Sequence, residues 1–326
     1  WSEPGSFALE GRCDNRCCTR DQMLDAHFVA RQLDIPFEVV DAAETFKSRI
    51  VDRFVADYAA GITPNPCLNC NRHIRFGFLL QEALRRGARY LATGHYARVT
   101  RAPDGLYELR RGVDEAKDQS YVLSVLTQEQ LQHAMFPVGG YTKGEVRDLA
   151  ARYNLPVASK GDSQDLCFVA DGDYRRFLRS QAPEAMEPGP IQRRSGEVIG
   201  EHAGLPAYTI GQRKGLGVSY REPLYVLEKD APANTLVVGT RDELGRDALT
   251  ARGVNWIAGG PPAAPLRAEV KIRYKSRPAN AWVTAEGDDR ARVRFDRPQP
   301  DITPGQGAVF YDGDLVLGLG IIERAG

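Results

Sequence analysis

Residues 63–96 read TPNPCLNCNRHIRFGFLLQEALRRGARYLATGHY. Two prolines stiffen the opening Thr63-Pro64-Asn65-Pro66. Behind them Ile74, Phe78, Leu79 and Leu84 recur at helical spacing, and Gly87 can end that helix. Tyr90-Leu91-Ala92-Thr93 then reads as a short buried strand running into Gly94 and His95. The same alternation holds upstream. Thr19-Arg20-Asp21-Gln22 resembles a capping box opening a helix through Leu33, and Phe37-Glu38-Val39-Val40 reads as a strand. Phe46, Ile50, Phe54 and Tyr58 recur every four residues, with Val51 and Val55 beside them, as one apolar helix face that Gly61 can stop. Thr142-x-x-Glu145 opens a further helix through Tyr153. Helices alternating with strands predict an α/β fold with a parallel sheet.

Beyond about Pro188 the helical periods vanish. Short alternating runs are punctuated by Ser195-Gly196, Asp230 to Asn234, Gly287-Asp288-Asp289 and Asp312-Gly313, which predicts a β-barrel or sandwich. A chain of 326 residues has room for two or three domains. No run approaches the ~20 apolar residues of a membrane helix. The opening WSEPGSFALEG has neither the basic nor the apolar region of a signal peptide. Lys plus Arg and Asp plus Glu both number 43, so any nucleic-acid surface must be a local basic patch. The six cysteines, Cys13, Cys17, Cys18, Cys67, Cys70 and Cys167, fit a reducing, cytoplasmic compartment better than a disulfide scaffold.

Five segments carry candidate chemistry. Cys67 and Cys70 stand just before a predicted helix, where N–H groups and the helix dipole favour a thiolate. Zinc, thiol exchange and simple packing compete with a catalytic role there; zinc lacks an obvious ligand set. Gly161-Asp162-Ser163-Gln164-Asp165 leads into an apolar run, Leu166-Cys167-Phe168-Val169, whose plainest reading is a buried strand cysteine. Gly94 and His95 sit at the carboxyl end of a predicted strand, where open α/β sheets bind ligands. Lys117-Asp118-Gln119-Ser120 marks a helix start. Gly211 to Gly217 is a cationic loop. Lys271, Arg273, Lys275 and Arg277 alternate with Val270, Ile272 and Tyr274, which in a strand puts all four cations on one face.

Taken in order, TPNPCLNCNRHIRFG, ATGHYARV, KDQSYVLSVLT, GDSQDLCFV, YTIGQRKGLGV, KIRYKS and TPGQGAVFYDGD resemble the tRNA-uridine 2-sulfurtransferase family, the MnmA-type thiouridylases. The resemblance implies a Rossmann-like ATP-pyrophosphatase domain over 1–172, a central tRNA-binding domain over 173–243 and a C-terminal β-barrel over 244–326. It implies ATP with Mg2+ as co-substrate, tRNA (those for Lys, Glu and Gln) as substrate, and sulfur supplied by a cysteine desulfurase or relay protein. Cys167 is then the persulfide carrier and Cys70 its nucleophilic partner. Gly94 matches a nucleotide contact. Asn65, Pro66 and Cys67 match the loop that meets the target base, and His95, Lys117, Asp118, Gln119, Arg273, Tyr274 and Gln306 match tRNA contacts. Cys13, Cys17 and Cys18 are expected to be structural.

The sequence departs from the family pattern twice. The Ser-Gly-Gly-x-Asp-Ser pyrophosphate loop is absent, so an N-terminally truncated member is expected, with a non-catalytic RNA-binding fragment as the rival. Cys67 stands where many relatives carry Asp, so Cys67, Cys70 and Cys167 are also candidate ligands of a [4Fe–4S] cluster.

Overall fold

The computed structural model describes residues 1, 20–156, 166–169 and 171–326. Cys13, Cys17, Cys18, Thr19 and the polar loop 161–165 lie outside them. The strands, in chain order, are β1 (Leu91–Ala92), β2 (Ala97–Arg101), β3 (Tyr107–Arg111), β4 (Ala134–Met135), β5 (Gly189–Arg193), β6 (Val198–His202), β7 (Tyr225–Asp230), β8 (Thr235–Gly239), β9 (Arg246–Trp256), β10 (Leu266–Lys271), β11 (Ala279–Ala285), β12 (Arg290–Gln299), β13 (Gly307–Asp312) and β14 (Leu315–Ala325).

The first part of the chain is α/β. Its parallel pairing is β1 with β4, joining Leu91 to Ala134 and Ala92 to Met135. The strand expected over Phe37–Val40 does not form: these residues join no ladder among the described residues, and Val39 is exposed. Ala92 and Tyr90 are also exposed, so β1 is not the buried strand its apolar letters suggested. Leu166–Val169 is a turn rather than a strand, closed by Val169 N–H donating to Leu166 O at 3.2 Å, although Phe168 and Val169 are buried as expected. The helix opened by Thr142 spans Lys143–Arg152 with both halves of its capping box formed.

The apolar face over residues 46–58 runs through three helical pieces, Ala43–Phe46, a π-helical Lys47–Val51 and Asp52–Ala59. A wider π turn keeps side chains spaced strictly by four from drifting round the helix. Ile50, Val51, Phe54 and Tyr58 thereby meet Phe168, Val169, Phe177 and Leu178 in one aromatic cluster.

The C-terminal barrel closes through the order β13-β10-β11-β12-β9-β14, with β14 returning to β13. Closure leaves these six strands without an open edge between them. The hairpin of β2 and β3, from the α/β part, adds to the same sheet through β14. Asp314 fixes that junction, pairing with Arg98 at 2.7 Å and Arg110 at 2.6 Å. One core cluster therefore mixes both parts: Leu68, Phe76, Tyr121 and Leu126 pack with Val309, Tyr311, Val316 and Leu319. Between them lies a four-stranded sheet of order β6-β5-β8-β7, whose β5–β8 pair is parallel. All four turn signals read from the C-terminal half separate consecutive strands, and Gly196, Asn234, Gly287 and Gly313 adopt positive φ there.

Candidate active site

Asn65 caps the helix that carries the first cysteines. Its side chain accepts from Cys67 N–H at 3.1 Å, and Pro66 occupies the first helical turn. Cys67 and Cys70 therefore lie inside the opening turns, not before them, as the helix Pro66–Asn69 continues into a π-helical Cys70–Leu79. Cys67 is exposed and Cys70 half-buried. Cys167, also half-buried, packs against the same aromatic cluster as Cys70. The two cysteines stand 97 positions apart in sequence (167 − 70) yet share one wall.

The loop before Cys67 is gripped from two other parts of the molecule. Thr63 N–H donates to Pro304 O at 3.1 Å. Gln306 Nε2 donates to Thr63 O at 2.8 Å and Pro64 O at 3.2 Å. Lys229 Nζ, on β7, donates to Thr63 Oγ1 at 3.2 Å. Lys229 sits over the Tyr58 ring, and burial pulls its ammonium down to about 8. Asn65 also hydrogen-bonds the Tyr121 hydroxyl, which donates to Gly307 O at 3.0 Å. Tyr274 lies edge-on to Tyr121; burial raises its phenol, as do the nearby Asp118 and Cys67.

Several expected tRNA contacts prove to be engaged inside the protein. Asp118 is buried and accepts from Gly112 N–H, Ser120 N–H and Ser120 Oγ. Gln119 is joined to Tyr96 both ways: its Oε1 accepts from Tyr96 N–H at 3.0 Å, and its own N–H donates to Tyr96 O at 2.9 Å. The expected strand through Lys271, Arg273, Lys275 and Arg277 ends at Lys271, because residues 272–278 turn. The four cations therefore share no strand face. Arg273 instead points inward, donating to Ile210 O at 2.8 Å and to Thr303 Oγ1. It ties the barrel to the central sheet. Arg213 and Lys214 of the cationic loop are exposed, and Lys117 is half-exposed.

At the carboxyl end of β1, Gly94 is exposed, and a Cβ built there would meet nothing within 4 Å. A nucleotide could approach that backbone closely. His95 beside it is buried, and burial together with the adjacent Arg75 pushes its imidazole down to about 3. Among the described residues no group of three or more His, Cys, Asp or Glu side chains is placed to hold a metal ion. Cys67, Cys70 and Cys167 therefore do not converge as the ligand set an iron–sulfur cluster needs, and zinc on Cys67 and Cys70 fits no better.

The sequence reading missed the basic residues packed between the cysteine helix and the helix facing it. Arg72 and His73 on the cysteine helix and Arg49 and Arg53 on the facing one lie close enough to influence one another. Burial lowers His73 first, and Arg72, Arg49 and Arg53 lower it further. The signal was present as basic residues on two helices, but only packing brings them together.

Three family models match in succession. The "tRNA methyl transferase HUP domain" matches residues 6–171, the "tRNA methyl transferase PRC-barrel domain" 175–240 and the "Aminomethyltransferase beta-barrel domain" 246–322. A protein of Geotalea uraniireducens is 50% identical over 325 residues, covering 100% of this chain and 86% of its own. One of Moorella thermoacetica is 49% identical over 308 residues, 94% of this chain and 86% of its own. One of Symbiobacterium thermophilum is 49% identical over 328 residues, 100% of this chain and 84% of its own. Each of the three is named tRNA-specific 2-thiouridylase MnmA. With a HUP domain, a central barrel sheet and a closed C-terminal barrel in that order, and this identity along the whole chain, the protein belongs to the family of tRNA-specific 2-thiouridylases.

Proposed function

We propose that this protein thiolates C2 of an anticodon uridine in tRNA, with Cys167 carrying the sulfur and Cys70 releasing it. The observation that carries this reading is the packing of Cys70 and Cys167 against one aromatic cluster, beside a loop pinned by all three parts of the molecule. ATP, as its Mg2+ complex, adenylates the C2 oxygen and releases pyrophosphate, so that oxygen can depart as AMP. The open backbone at Gly94 suits the nucleotide. The terminal sulfur of a Cys167 persulfide attacks C2 and AMP leaves. The uridine is then joined to Cys167 through a disulfide. The Cys70 thiolate attacks Cys167 Sγ, that S–S bond breaks, and its electron pair remains on the departing 2-thiouridine sulfur. A Cys70–Cys167 disulfide results, and a dithiol reductant restores both thiols.

The sulfur comes from a cysteine desulfurase or relay protein, and the substrates are the tRNAs for Lys, Glu and Gln. The protein works in the cytoplasm; no helix among the described residues is long and apolar enough to cross a membrane. Asn65, Pro66, Cys67, Lys117 and Tyr274 form the surface open to tRNA. Asp118, Gln119, Arg273 and Gln306 brace that surface from within. The test incubates the full-length enzyme with ATP, Mg2+, a persulfide donor and unmodified tRNA, then digests the tRNA for nucleoside mass spectrometry. One 2-thiouridine per tRNA, dependent on ATP, is expected. ATP-independent thiolation, or none with a competent donor, would overturn the reading.

A further inference from the structure

Arg75 is exposed on the cysteine helix, five residues after Cys70, and its Nη1 lies 2.7 Å from His95 Nε2. A guanidinium can only donate, so Nε2 must accept. The imidazole is buried against Phe76 and Phe136 and stays neutral. Its hydrogen therefore sits on Nδ1 and donates to Thr93 Oγ1 at 2.7 Å. Thr93 oxygen is occupied as an acceptor, which leaves its own hydrogen to donate elsewhere. Arg75 is thus held in place by a neutral partner, and among the described residues no carboxylate lies within ion-pair distance of it. Arg85 on the same helix run is by contrast paired with Glu82 at 2.8 Å, which offsets its charge. Neighbouring Gly94 leaves the approach open.

We propose that Arg75, positioned by neutral His95 and joined by the Thr93 hydroxyl, binds a phosphate oxyanion of the substrate at the carboxyl end of β1. This rests on the tRNA-thiolation reading. A guanidinium fixed without neutralisation keeps its full charge and loses little side-chain freedom on binding. The phosphate belongs either to the tRNA backbone or to ATP, and two measurements separate them. tRNA affinity of the full-length protein is measured across a potassium chloride series for wild type, Arg75→Ala, Arg75→Lys and His95→Gln. The Michaelis constant for ATP is measured at saturating tRNA for the same set.

A tRNA phosphate requires Arg75→Ala to weaken binding about three- to tenfold and to lower the salt slope by about 0.7–0.9, with Arg75→Lys keeping the slope. His95→Gln, which retains a neutral acceptor for Arg75, should weaken binding less than Arg75→Ala does. An ATP phosphate requires a similar rise in the Michaelis constant with tRNA affinity unchanged. If wild type binds tRNA and thiolates it while Arg75→Ala leaves both quantities unchanged, the inference falls and the functional reading stands. If wild type binds no tRNA, the functional reading falls and takes the inference with it.

Discussion

His95 shows at the level of one residue how burial sets a role. The family resemblance matched it to a tRNA contact; in the fold its ring lies under Arg75 with both nitrogens engaged. Its folded pKa of about 3 lies below the ordinary 6.5. The unfolded chain therefore takes up a proton below pH 6.5 that the folded protein refuses until about pH 3. Stability from this residue is complete above pH 6.5 and is lost as pH falls through that window, at up to ~1.4 kcal/mol per pH unit. Urea unfolding at pH 7.5 and 5.5 should show a smaller loss for His95→Gln than for wild type. An equal loss in both would place the acid sensitivity elsewhere.

At the scale of elements, the loop Thr63–Pro66 decides how Cys67 and Cys70 are presented. Four grips act on Thr63 and Pro64, from Pro304, Gln306 and Lys229. Gly305 lies between them at φ +93°, where a Cβ would come within 2.3 Å of Ile62 Cγ2. Gln306 is therefore a positioning residue. Gln306→Ala should lower kcat for thiolation at least several-fold while tRNA affinity stays within about twofold, since the lost bonds are internal. A matching loss of tRNA affinity without change in kcat would restore Gln306 as a direct contact. Element boundaries were legible where local chemistry sets them: the Thr142 capping box and the glycine and asparagine turns of the central sheet and barrel all stand as read. The run at Lys271 was misread because alternation also fits a strand that ends. The chain turns where Ser276 N–H donates to Arg273 O at 3.1 Å, and the Arg273 side chain then bonds inward to Ile210.

Across the whole molecule, the α/β part and the barrel share a core. Val309, Tyr311, Val316 and Leu319 cover Leu68, Phe76 and Tyr121, and the β2–β3 hairpin extends the barrel sheet from β14. Each buried Leu, Val or Phe withdrawn from such a core exposes apolar area worth roughly 1.5–3 kcal/mol. A chain ending at residue 243 should therefore lose cooperative thermal unfolding and aggregate; a monodisperse fragment with a sharp transition would show that the parts fold separately. The passage from α/β to all-β could be read from the change in periodicity near Pro188, whereas the separate central part came only from the family resemblance. The shared core could not be read, because it joins residues more than 180 positions apart, as Tyr121 and Gly307 are.

The central claim is that Cys70 frees sulfur held on Cys167. The most direct measurement is a single turnover of Cys70→Ser with ATP, a persulfide donor and labelled tRNA, read on a non-reducing denaturing gel. A tRNA–protein adduct that dithiothreitol releases as 2-thiouridine-containing tRNA is expected, with Cys167→Ser giving none. Cys70→Ser that yields 2-thiouridine at the wild-type rate, with no adduct, would contradict it.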